Sequence, residues 1–134
     1  MVLKKYIPFI FFAIYFSPLT YGQIEYNRIQ KIQKKLEHLS TSIPGLTKKI
    51  DFSLNDTELP IFIRAIAAEQ ELNISIASDL NQIKVSQNFS NAIVQNVFVY
   101  LCKEYHLTLD VFGTIISFKR YTKPFITRDI RAKY

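Results

Sequence analysis

Cysteine, glycine and tryptophan are nearly absent from this chain, which holds one Cys, three Gly and no Trp in 134 residues. A single thiol, Cys102, excludes an internal disulfide and a cysteine-rich metal site. Only Gly45 and Gly113 lie beyond residue 22, so there is no glycine-rich loop to cradle a phosphate. The two histidines, His38 and His106, fall in different segments with no ligand spacing between them. Asp51, Asp56, Glu58, Asp79 and Asp110 sit at expected strand faces, caps and turns. No two of them share a face as an acid–base couple would. Cys102 lies beside Leu101 on the apolar side of an expected helix and reads as a small buried hydrophobe. His106 is four residues on, but nothing supplies the third, orienting group of a nucleophilic site. The expectation is therefore a non-enzyme: no catalytic residues, no cofactor, no metal and no small-molecule substrate. Dense basic stripes are missing too. The formal charge of +6 is scattered in short clusters at Lys34-Lys35, Lys48-Lys49 and Lys119-Arg120, which argues against nucleic acid.

One long apolar run exists, at the start. Lys4 and Lys5 form a positive n-region, and Tyr6 to Phe16 is an apolar stretch short for a spanning helix. Ser17 and Pro18 break it, and Thr20 and Gly22 are small residues before a cut ahead of Gln23. Residues 1–22 read as a signal peptide, with an uncleaved anchor as the alternative, and the remainder as exported. No cysteine stands just after the cut, so lipoprotein processing is not expected.

In residues 23–47, Ile29, Ile32, Leu36, Leu39 and Ile43 recur at alternating steps of three and four, one narrow apolar stripe on a helix ended by Pro44-Gly45. This lead-in helix either packs on the next domain, frays, or forms a self-association seam; its two heptads are too few for a coiled coil. Ile50, Phe52 and Leu54 then alternate as a strand. Asn55, Asp56 or Thr57 offers an N-cap for a helix running to about Leu72, with Pro60 tolerated in its first turn. Residues 73–77 form a second strand, 78–82 a turn, and 83–89 a third strand with an irregularity near Gln87. Ser90 or Asn91 caps a second helix whose stripe is Val94, Val97, Phe98, Leu101 and Tyr105. Leu107, Leu109 and Val111 alternate, then Ile116 and Phe118, with Gly113 at the tight turn of a hairpin. The order is strand-helix-strand-strand-helix-strand-strand, an α+β sandwich over residues 48–121, with a linker over 122–134.

Those positions carry a resemblance. Phe52 and Leu54, Leu59, Ile66-Ala67, Leu72-Asn73-Ile74, Asp79, Val97-Phe98, Leu101, Leu107, Gly113 and Ile115-Ile116 fall in a pattern similar to the secretin and TonB N-terminal short domain. It covers about seventy residues, roughly half of the 134. The resemblance implies a periplasmic docking domain. In secretins, the rings of type II and III secretion and type IV pilus machines, this domain faces the periplasm and contacts inner-membrane components. In TonB-dependent receptors it signals to an anti-sigma regulator. The stretches 52–67 and 88–109 look closer to the secretin branch. As part of a longer chain it would sit in a homo-oligomeric ring. Residues 122–134 hold no series of barrel strands, so a stand-alone module or a piece of a longer protein is expected rather than a pore.

The sequence leaves two classes of function: a docking module for periplasmic or inner-membrane secretion proteins, and a small periplasmic enzyme, which would need polar groups converging in a pocket. For docking, the last hairpin strand is the expected free edge for strand addition, with Thr114, Ile116, Phe118, Lys119 and Arg120 as its partner-binding residues.

Overall fold

The computed structural model describes residues 21–123. The signal-peptide reading of residues 1–20 and the linker beyond Lys123 lie outside the described residues. The chain is of the α+β class, with three α-helices and small sheets among the described residues. Helix α1 (Tyr21–Ser40) comes first among the described residues, so the expected cut ahead of Gln23 falls in its first turn. A 3-10 turn (Pro44–Thr47) leads into β1 (Lys49–Ser53). Then come β2 (Thr57–Glu58), α2 (Leu59–Gln70), β3 (Asn73–Ile76) and a second 3-10 turn (Ser78–Gln82). Next are β4 (Lys84–Val85), β5 (Asn88–Ile93), α3 (Val94–Glu104), β6 (Leu107–Phe112) and β7 (Ile115–Arg120).

The strands form two antiparallel pairs, β1 with β5 and β2 with β4, and a mixed sheet ordered β3-β7-β6. In the mixed sheet β3 runs parallel to β7 and β6 antiparallel to it. Aromatic rings fasten the layers. Phe62 of α2 meets Phe52 of β1 and Phe89 of β5, both at 5.3 Å between centroids. On the other side Phe98 of α3 stands edge-on to Phe118 of β7 at 5.0 Å. Helices α2 and α3 are thus held between the β1–β5 pair and the mixed sheet. Leu59, Ile63, Ile66, Leu101, Leu107, Leu109 and Ile116 are fully buried between them.

Helix α1 belongs to the same core. Ile32, Leu36 and Leu39 are 3%, 0% and 9% exposed, so of the three readings of the stripe it is packing on the later elements that holds among the described residues. The helix stops at Ser40, three residues before Ile43, which packs at the core margin from outside it. At Gly45 a Cβ would stand 2.4 Å from the Gln70 carbonyl oxygen, so only glycine lets this turn approach the end of α2.

Two expected helix caps are replaced by strands. Thr57 and Glu58 pair with Val85 and Lys84, and Ser90 and Asn91 belong to β5; neither α2 nor α3 has a side-chain cap. The first N–H of each helix is instead taken by a neighbouring carbonyl: Leu59 donates to Ile83 at 2.8 Å, and Val94 to Lys48 at 2.9 Å. A helix terminus needs its N–H groups satisfied, and backbone carbonyls serve as well as a hydroxyl. The irregularity expected near Gln87 is a break, since Ser86-Gln87 separate β4 from β5. A true bulge lies further on, where the register slips between Ile50 and Phe52. There Asn91 adopts φ 53 and donates its backbone N–H to Asp51 Oδ1 at 2.8 Å.

Candidate functional site

The expected free edge is not an edge. β7 is the centre of its sheet, paired with β3 along one side and β6 along the other. Sequence order placed it last; a parallel partner arriving from earlier in the chain places it in the middle. Its inward residues Ile116 and Phe118 are both 0% exposed and belong to the core. Thr114 sits in the hairpin turn and accepts a hydrogen bond from Asn73 Nδ2 at 3.2 Å. Lys119 faces outward and pairs with Asp110 at 2.7 Å, while Arg120 reaches Asp79 at 3.4 Å. Both are exposed pairs, worth about 0–1 kcal/mol each. The structure therefore splits the five expected residues between core, turn and surface, and does not bring them together.

What faces outward on the sheet is a different set. Phe112 and Ile115 are opposite each other beside the Gly113-Thr114 turn and are 67% and 45% exposed. Gly113 takes φ 62, the left-handed conformation such a turn needs. Their signal was present in the sequence: Leu107, Leu109 and Val111 fix the inward parity of β6, so Phe112 falls outside it, as Ile115 does before Ile116 and Phe118. Large apolar residues off the core parity are surface residues with something to explain.

Beside this pair lies an open groove of about 420 Å³ between α1 and β6, lined by Lys35, His38, Leu39, Asp110, Val111 and Phe112. Nearer the start of α1, Arg28, with a side chain 9% exposed, is held by Glu25 at 2.6 Å. Arg28 also donates to the Leu107 carbonyl at 2.6 Å and lies 4.2 Å over the Tyr121 ring. The hydrogen bonds from Arg28 hold the Glu25 carboxyl below its ordinary value. Cys102 is fully buried, and burial pushes its thiol up to about 12, so its thiolate is scarce at neutral pH. His38 and His106 stand apart, and no group of three or more His, Cys, Asp or Glu is placed to hold a metal among the described residues. No helix among the described residues is long and apolar enough to cross a membrane.

No family model matches the chain, and no curated protein matches it.

Proposed function

We propose that the chain is an exported, non-catalytic docking domain, similar in role to the N-terminal domain of secretins, and that it binds periplasmic or inner-membrane components of a secretion machine. The observation that carries this reading is the outward pair Phe112 and Ile115, 67% and 45% exposed on the outer face of the mixed sheet. Aromatic and aliphatic side chains presented together to water are the anchors that protein interfaces use. Two further features support it. The strand-helix-strand-strand-helix-strand-strand order implied by the resemblance is kept, apart from the short β2 and the division of the third expected strand into β4 and β5. Leu59, Ile66, Leu101, Leu107 and Ile116, all positions of the family pattern, are fully buried in one core.

The test pairs the full chain with the periplasmic domains of inner-membrane secretion proteins from its own organism and, separately, with an anti-sigma regulator. Binding is measured by calorimetry, and export by recovery from osmotic-shock fluid. Binding to a secretion component, weakened about tenfold or more by combined Phe112→Asp and Ile115→Asp at unchanged circular dichroism, is the expected result. Binding to the regulator alone moves the domain to the receptor branch, and binding to neither sinks the reading.

A further inference from the structure

Helix α2 turns one side to the core and the opposite side to water. Phe62, Ile63, Ile66 and Ala67 are buried, with Leu59 and Pro60 at its start. At about 3.6 residues per turn, Ile61, Ala65 and Ala68 line up on the side away from them. Ile61 is 54% exposed there, and neither α2 nor α3 exposes another large apolar side chain. Ala68 is exposed beside it and Ala65 half-buried.

Two charges flank this line. Arg64 and Glu69 are both exposed, and neither has a hydrogen bond or an ion pair among the described residues. Lys48 lines a shallow pocket with Glu69 and Glu71, yet it bonds neither carboxylate. Arg64 and Glu69 are five residues apart, about 140° around the helix, so they cannot meet each other on one helix. Arg64 stands on one flank of the Ile61–Ala65–Ala68 line and Glu69 on the other.

A second copy supplies what one lacks. When two identical helices lie side by side in the same direction about a two-fold axis, each flank meets the opposite flank of the neighbour. Arg64 then faces Glu69 of the second copy, and symmetry makes the pair twice. Ile61, Ala65 and Ala68 each meet their own counterpart, at the steps of four and three that a helix seam uses. The alanines let the axes come to the near end of the usual separation of about 8–10 Å, within reach of the two long side chains. An antiparallel pair would set Arg64 against Arg64 and Glu69 against Glu69.

We infer that a second copy of this chain docks on α2, with the two helices parallel, Ile61 in the seam and Arg64–Glu69 pairs along both sides. Charge complementarity selects this occupant. The dimer goes beyond the docking reading and does not use its surface, since Phe112 and Ile115 stand beside the hairpin turn of the mixed sheet. The seam is short, so the dimer is a weak one that forms as concentration rises.

Sedimentation equilibrium of the full chain as recovered from cells, over a range of concentrations, tests it. Ile61→Asp should weaken the dimer tenfold or more at unchanged circular dichroism, because the side chain is exposed in the single copy. Arg64→Glu and Glu69→Arg should each weaken it about tenfold, since either one turns two attractive pairs into repulsive ones. Carried together in one chain, the two reversals should restore the wild-type dissociation constant, which the parallel arrangement allows and the antiparallel one does not. A monomer at every concentration overturns the inference, as does a dimer indifferent to Ile61→Asp. A double reversal as weak as either single one overturns it too. Combined Phe112→Asp and Ile115→Asp should leave the dimer intact. If those two changes dissolve it while Ile61→Asp does not, the copies meet through the docking surface and the α2 seam is wrong.

Discussion

Arg28 concentrates more structure than any other polar side chain described in this chain. One guanidinium joins α1 to Glu25, to the carbonyls of Leu107 and Cys102, and to the ring of Tyr121. A charge this shielded must be satisfied, and here the partners come from both ends of the sequence. Replacing Arg28 with Met keeps the bulk of the stem and removes the bonds; the expected loss is about 2 kcal/mol of unfolding free energy at neutral pH, read from urea denaturation. The acid response separates this contact from mere packing. Glu25 has its carboxyl lowered by the Arg28 hydrogen bonds, so its contribution is present above its ordinary value of 4.5 and is lost as the pH falls through the lowered folded value. The gap between wild type and Arg28→Met should therefore narrow below pH 4.5, and a gap that stays constant with pH would show that Glu25 contributes nothing. None of this was legible in the sequence: an Arg three residues after a Glu on a helix is commonplace, and its distant partners exist only once the chain is folded.

At the scale of the element, the periodicities that lay in buried faces were legible and the junctions between elements were not. The stripe Val94, Val97, Phe98 and Leu101 and the alternation in β6 and β7 arise from burial, which acts at every second or every third to fourth residue. Caps failed as signals because Leu59 and Val94 find backbone carbonyls, a pairing between residues distant in sequence. The edge failed for the same reason, since only the parallel pairing of β3 with β7 decides which strand is central. The lead-in helix shows the point energetically. Leu36 is 0% exposed in the core shared with α3 and β6, so Leu36→Ala should cost about 3 kcal/mol. A cost below about 0.5 kcal/mol, the range of surface substitutions, would mean that α1 adds a stripe and no stability.

For the molecule as a whole, the question is whether α1 and the sandwich unfold together. The buried cluster is continuous from Ile32 and Leu36 through Leu101 and Cys102 to Leu109 and Phe118, and no polar residue among those described is buried in it. A core without a seam favours one cooperative transition, as small single domains usually show. Cys102 can report it, because its thiol lies on α3 beneath the Arg28 side of α1 and burial raises it to about 12. The thiol is 0% exposed, so a thiol reagent near neutral pH should react only with molecules that have opened. Burial also sets the sign of the alkaline response. A thiol raised above 9.0 in the folded chain holds its proton there, so stability is full below 9.0 and falls as the pH rises towards 12. If α1 and the sandwich are one unit, the free energy of opening read from Cys102 labelling will equal that from far-ultraviolet circular dichroism, and Leu36→Ala will lower both by the same amount. Rapid labelling that ignores denaturant while the dichroism stays native would mean that α1 lifts off by itself.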